Sequence, residues 1–310
     1  MFKETAVLLD QGDHLLLPVP ELFSFRENLS YLGRASQESL YVVREHEVWR
    51  VVELGGQVVL LRIRESKDEQ ALRVDFAGPG PHPDAEGRAA AGRYVRHWLD
   101  MDTDLAPFYT MADADPLLHE PVRRFAGLRV VGIPDLFEAM SWGIIGQQIN
   151  LPFAYTLKSR FVEQYGSHID WQGQTYRLFP TPERVAGLTV DELRPLQMSV
   201  RKSEYLIGVA RLIASGALSR EGLLAEGELQ QIEQALVKIR GIGPWTAHYV
   251  IMRCLRLPAA FPIADVGLHL ALKQALGWDR KPVVPEIKEL AAGWAGWEAY
   301  ATFYLWRTLY

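Results

Sequence analysis

Leu236-Val237-Lys238-Ile239-Arg240-Gly241-Ile242-Gly243-Pro244-Trp245-Thr246-Ala247 reads as one helix end, a glycine turn and the start of a second helix. Leu236, Val237 and Ile239 close the first apolar pattern. Gly241 and Gly243 bracket one aliphatic residue, which permits a tight turn with its amides facing outward. Pro244 suits the first position of a new helix, where no amide hydrogen is missed. The positive end of that helix adds to the amides, and such an array binds phosphate. The same pattern also serves as a plain packing joint, with Ile242 plugging the gap between two helices.

Helix signals continue on both sides of this turn. Asp135 with Glu138 reads as a cap with a capping-box partner, opening a helix over 136–149. Thr189 with Glu192 repeats that pattern. Pro152, Pro182, Pro244 and Pro285 stand at helix starts, and Gly166, Gly216 and Gly277 suit left-handed C-caps. From Asp115 onward this predicts eight to ten short helices. Before it the pattern changes. Runs at 40–44, 47–54, 57–63 and 71–76 are rich in Val, Leu and Tyr, and Gly55-Gly56 marks a hairpin. Helices are expected at 20–33 and 84–99, on either side of this meander. The fold class is therefore α+β, divided into an α+β domain (1–112), a first helical part (113–230) and the glycine-turn region (231–310).

The chain has 310 residues, 48% apolar side chains and one cysteine, Cys254. That composition excludes a disordered chain. A single cysteine excludes an internal disulfide, a four-thiolate zinc site and an iron–sulfur cluster. The first thirty residues show no basic start followed by an apolar run, and no apolar stretch reaches the ~20 residues that span a bilayer. A protein of a reducing cytosol is expected. Net charge is −5, yet residues 196–260 carry eight Lys/Arg against five Glu, so the turn region is locally basic. No heptad or large apolar face calls for a partner, and a monomer is expected.

The glycine turn resembles the helix-hairpin-helix of DNA repair glycosylases. Phe261-Pro262-Ile263-Ala264-Asp265 follows it and resembles the Pro…Asp element that names the helix-hairpin-helix–Gly/Pro–Asp superfamily. Asp265 stands in the catalytic place, and it is also placed to cap a helix over 266–276. Within the superfamily the chain looks most like the 3-methyladenine DNA glycosylase II branch, over nearly its whole length. Ile144-Ile145-Gly146-Gln147-Gln148-Ile149 resembles that branch's helix-end motif beside DNA, and Trp294, Trp297, Tyr300 and Trp306 resemble its aromatic closing helix. The N-terminal domain resembles a TATA-binding-protein-like domain.

The resemblance implies a catalytic Asp265 and a substrate pocket of Trp306, Tyr249, Trp245 and Tyr31. It implies double-stranded DNA with damaged purines as partner, held by Gly241, Ile242, Gly243, Thr246, Gln147 and Gln148, and the surface bases Arg201, Lys202, Lys238 and Arg240 are expected phosphate contacts. Gln148, with Gln147 beside it, matches the wedge that fills the gap left by a flipped base; the family's best-known wedge is apolar. No cofactor is required. Backbone carbonyls of Val237, Ile239 and Ile242 match those that hold sodium or potassium in the family. Strand-cutting members carry a lysine after the hairpin, and here that place is Trp245, so a hydrolase without lyase activity is implied. The implied reaction is removal of alkylated purines in base excision repair, in a bacterial-type cytoplasm at the nucleoid. Two alternatives are an oxidised-purine glycosylase/lyase and a non-catalytic DNA-binding module.

Overall fold

The computed structural model describes residues 8–66 and 69–310; residues 1–7, part of the stretch searched for a leader sequence, lie outside the described residues. Six strands form one antiparallel sheet: β1 (Leu9–Asp10), β2 (His14–Pro18), β3 (Tyr41–Arg44), β4 (Glu47–Leu54), β5 (Gln57–Glu65) and β6 (Ala71–Ala77). Their order is β1-β2-β6-β5-β4-β3. Gly55 and Gly56 turn β4 into β5 with φ of +58° and +79°, the two positive values a tight hairpin needs. Helices α1 (Phe25–Gly33) and α2 (Ala85–Trp98) are capped by Ser24 and Asp84. Alternation decides the faces of the sheet. Val48 and Val52 of β4, with Leu61 and Ile63 of β5, enter the main core. Trp49, Val51 and Leu60 point the other way, onto a second cluster with Tyr176.

Tyr176 belongs to a small hairpin, β7 (His168–Trp171) and β8 (Gln174–Arg177), which the helical reading of this region misses. Its strands are four residues long, and its one local signal is Gln172-Gly173, with φ of +49° and +76°.

The rest is helical: α3 (Ala106–Asp113), α4 (His119–Arg124), α5 (Leu136–Ile145), α6 (Leu151–Tyr165), α7 (Pro182–Ala186), α8 (Val190–Leu193), α9 (Val200–Ala214), α10 (Arg220–Ala225), α11 (Leu229–Val237), α12 (Pro244–Val250), α13 (Val266–Leu276), α14 (Val284–Leu290) and α15 (Glu298–Arg307). The chain is thus α+β as expected, with twelve α-helices after Asp115 rather than eight to ten. No helix among the described residues is long and apolar enough to cross a membrane.

Four local expectations change. Helix α1 starts at Phe25, five residues later than expected, because Ser24 caps it there. Helix α5 ends at Ile145, not Ile149, so Gln147 and Gln148 lie in the turn beyond it. Gly166 is extended (φ −76°, ψ 170°), not left-handed. Glycine is needed there for space, because a Cβ would stand 2.3 Å from the Leu178 carbonyl oxygen. Asp135 does cap α5, accepting from the Glu138 amide at 2.6 Å. The Glu138 carboxylate, however, makes no capping box. It turns inward to Arg50 at 2.7 Å, with Lys158 at 3.7 Å and Glu38 completing a buried network. This network ties the core face of the sheet to α5 and α6. Removing one partner of such a pair typically costs about 3–5 kcal/mol.

His97 of α2 makes a second tie, its Nε2 lying 3.0 Å from the Cys254 carbonyl oxygen. Burial, and then the charges of Arg256 and Arg220, push its pKa down from 6.5 to about 4. The folded chain therefore binds this proton more weakly than the unfolded chain does. The contribution is complete above pH 6.5 and is lost as pH falls towards 4, by about 3 kcal/mol at most. Melting temperature should fall more steeply between pH 7 and 4.5 for the native chain than for His97→Gln. Equal slopes would contradict this account.

Candidate active site

Helices α11 and α12 meet at the glycine turn. Gly241 has φ +96°, and a Cβ there would stand 2.3–2.7 Å from the Tyr205 ring, so both conformation and space demand glycine. Gly243 differs. Its φ is −92° and a Cβ would meet nothing within 4 Å. It caps α12 with its backbone facing open space.

The turn is braced from α5. Gly143 packs so closely that a Cβ would lie 2.6 Å from Thr246 Cγ2. Gln147 Nε2 donates to the Gly241 carbonyl at 2.9 Å and to Thr246 Oγ1 at 3.2 Å. Gln147 is thus a strut of the hairpin. Gln148 is exposed at its side in the left-handed region, φ +57°.

Several expected DNA contacts are narrowed. Thr246 is buried and its hydroxyl is engaged with Gln147. Ile242 is buried and its amide already donates to the Ile239 carbonyl at 3.0 Å. Arg240 pairs with Glu204 at 2.7 Å, and Lys202 Nζ donates to the Ile145 carbonyl at 2.7 Å. Arg201 and Lys238 are exposed.

The helix that begins at Pro244 continues through a wider π-helical turn, Ile251–Leu255, a feature frequent at functional sites. It carries Trp245, Tyr249 and Arg253 at four-residue spacing, hence on one face. Asp265 lies opposite. Its Oδ1 accepts from the Leu268 amide at 2.8 Å, capping α13, and from Trp306 Nε1 at 2.8 Å. Its Oδ2 accepts from Trp245 Nε1 at 3.0 Å. A carboxylate has about four acceptor sites, so three donors fix its plane and leave about one site for an incoming group.

Gly267 makes the clamp possible. A Cβ there would stand 2.9 Å from Asp265 Oδ1 and 3.1 Å from Trp306 Nε1. The loop carrying Asp265 is pinned at His248 Nδ1, which accepts from the Phe261 amide at 2.9 Å, and at His269, whose Nε2 donates to the Ile263 carbonyl at 2.8 Å.

The expected pocket aromatics form a chain of rings. Trp245 and Tyr249 have centroids 5.7 Å apart, Tyr249 and Trp306 6.5 Å, Trp306 and Phe303 6.1 Å, and Phe303 and Tyr31 4.4 Å. Tyr31 is only 2% exposed and lies at the buried end of that chain. Behind Tyr249 sits Arg253, donating to the Tyr249 hydroxyl at 3.1 Å, the Tyr31 hydroxyl at 3.3 Å and the Val131 carbonyl at 2.7 Å. Among the described residues no group of His, Cys, Asp and Glu side chains is arranged to hold a metal ion.

Residues 142–296 match the family model of the HhH-GPD superfamily base excision DNA repair proteins, covering the hairpin and Asp265 together. The chain belongs to that superfamily. As an HhH-GPD protein it also carries, over residues 18–140, a match to the 8-oxoguanine DNA glycosylase N-terminal domain. It is 48% identical over 299 residues to the DNA-3-methyladenine glycosylase of Bacillus subtilis, covering 96% of this chain and 98% of that protein. The 3-methyladenine DNA-glycosylase of Archaeoglobus fulgidus shares its fold, with a TM-score of 0.79 at 22% identity, covering 95% and 97% of the two chains. The 8-oxoguanine glycosylase/lyase of Clostridium acetobutylicum, solved with double-stranded DNA, gives 0.75 at 17% identity over 99% and 98%.

Two expectations test this site's parts separately. Gly243→Val should fold with a melting temperature within a few degrees of native, because its Cβ meets open space. On the expectation that this turn takes a phosphate, the variant should nevertheless weaken binding to all duplexes alike, because phosphate contacts position without reading bases. A plain packing joint would instead lose stability, as Gly241→Val should. Second, the family resemblance puts Trp245 at the place of the Schiff-base lysine, and on that expectation borohydride should trap no covalent protein–DNA adduct; an adduct at the summed mass would contradict it.

Proposed function

We propose that this HhH-GPD protein is a monofunctional DNA glycosylase that hydrolyses the N-glycosidic bond of alkylated purines in double-stranded DNA. The observation that carries the reading is Asp265, clamped by two indole N–H groups beside a face of neighbouring aromatic rings. Breaking the bond builds positive charge on the deoxyribose. A fixed carboxylate stabilises that charge, and its remaining acceptor site orients and deprotonates the attacking water. A unit pair at 4 Å is worth about 4 kcal/mol at an effective dielectric of 20, or roughly three orders of magnitude in rate. Alkylation at a ring nitrogen makes the base a cationic, good leaving group, so one carboxylate suffices.

The target base leaves the duplex and stacks on the Trp245–Tyr249 face, while exposed Gln148 fills the gap. The amides at Gly243 and the start of α12 take a phosphate, with Arg201 and Lys238 adding charge. Carbonyl oxygens are hard donors suited to sodium or potassium. The Val237 carbonyl stands at the C-terminal end of α11, and with those of Ile239 and Ile242 it would hold such an ion at the turn; the Ile239 oxygen also accepts from the Ile242 amide. The experiment is release of free methylated purine from alkylated duplex, with strand breaks read before and after alkali. Base release with breaks only after alkali is expected. Breaks before alkali would favour a glycosylase/lyase, and binding without release would leave only a DNA-binding module.

A further inference from the structure

The Tyr249 ring has two neighbourhoods, the indoles that hold Asp265 and a small, partly open space on the sheet side. That space is a cavity of about 40 Å³, walled in part by Tyr249, Arg253 and Arg34. Its charged lining comprises four cations, Arg34, Arg50, Lys158 and Arg253, against two carboxylates, Glu38 and Glu138. Arg50 pairs with Glu138 and Lys158 with Glu38. The surplus of two positive charges therefore belongs to Arg34 and Arg253.

Neither of these has a carboxylate partner among the described residues. Arg253 is 7% exposed and binds only neutral oxygens, those of Val131, Tyr31 and Tyr249, through Nε and Nη1. Its Nη2 makes no hydrogen bond among the described residues. Arg34 donates from Nη1 to the Tyr31 carbonyl at 2.6 Å, and its guanidinium carbon lies 3.5 Å from the Tyr31 ring centroid. Its Nε is buried without a partner. Buried charges are ordinarily paired, and an unmet buried donor is costly. Arg34 holds such an unmet donor, and Arg253, bonded only to neutral oxygens, adds its charge to the same cavity wall; together they call for an electron-rich acceptor.

We propose that this cavity is the recognition site for a carbonyl oxygen on the flipped base, so that Arg253 and Arg34 favour purines with an oxo group at position 6 over those with an amino group. The inference rests on the glycosylase reading above and names its substrate class. About 40 Å³ holds a water or two but not a whole purine, so only the edge of a base stacked on Tyr249 enters it. An oxo group accepts from the guanidinium. An amino group would turn its own donors on unpaired donors, which selects against it. As the glycosidic bond breaks, electrons flow into the base, and a hydrogen bond from a cation to its oxygen strengthens in step.

The test compares release of 3-methylguanine and 3-methyladenine from one methylated duplex preparation. These share the methyl position and the charge but differ at position 6 and in the 2-amino group of guanine, so release of hypoxanthine against adenine, which differ at position 6 alone, is measured beside them. Arg253→Gln and Arg34→Gln should each lower kcat/KM for 3-methylguanine by about 10- to 100-fold, the range for a hydrogen bond to a charged group, and for 3-methyladenine by less than about threefold. Arg34→Gln leaves the Arg253 contacts intact, so the pair guards against a folding artefact, with melting curves recorded for both. Parallel losses on the two bases, or an unchanged ratio in both variants, would overturn the assignment. If the native chain releases neither base, the glycosylase reading itself fails, a distinct result.

Discussion

Asp265→Asn is expected to lower base release by about 10²–10³, with duplex affinity changed by less than about threefold. The amide oxygen can keep the place of Oδ1, where it still accepts from the Leu268 amide and the Trp306 indole. The cap on α13 and the fold should therefore survive. What is lost is the charge, and with it the stabilisation of positive charge on the sugar. The new amide nitrogen also faces Trp245 Nε1, donor against donor, at the place where Oδ2 accepts at 3.0 Å. Single-turnover release, duplex binding and a melting curve together separate these effects. Near-normal release by a well-folded variant would remove Asp265 from the mechanism.

The second large effect concerns the indoles. Trp306→Phe and Trp245→Phe keep an aromatic face but delete the N–H that fixes the carboxylate. A hydrogen bond to a charged group is worth about 1.5–3 kcal/mol, so each variant should lose about 10- to 100-fold in kcat. KM should change little, because stacking remains. If Trp245 and Trp306 serve only as stacking surfaces, the phenylalanine variants should turn over at close to the native rate. That result would separate the aromatic slot from the carboxylate clamp.

Much of the fold is legible in the sequence because its signals are local. Gly55-Gly56, the Asp135 cap, the Thr189–Glu192 capping box and the glycine turn each declare themselves within a few residues. Where the reading departs from the fold, distant partners decide. Glu138 is drawn from a capping box by Arg50, 88 residues away, and Gly166 is fixed by the Leu178 carbonyl. The β7–β8 hairpin is stabilised by the apolar far face of the sheet that it covers, which no local window contains.

The candidate site divides in the same way. Asp265, Trp245, Tyr249 and Trp306 stand out as residue types in a recognisable order. That two indoles donate to one carboxylate depends on 20- and 41-residue separations, which only the packed fold closes. Gly267 had a local signal, a glycine two residues after the aspartate, but its reason lies in the Trp306 ring across the site. Arg253 shares a helix face with Tyr249. Its lack of a carboxylate partner appears only when every neighbouring element is in place.

The most direct test of the central claim, that Asp265 acts through its charge on a cationic sugar, is a binding measurement. Two duplexes are compared, one carrying a protonated five-membered cyclic amine in place of one deoxyribose and the other a neutral cyclic ether of the same shape. The native chain should prefer the cation by about 10²–10³, the factor expected for one fixed carboxylate at close range. Asp265→Asn should bind the two alike. A native chain without preference, or an Asp265→Asn variant that keeps the full preference, would contradict the account.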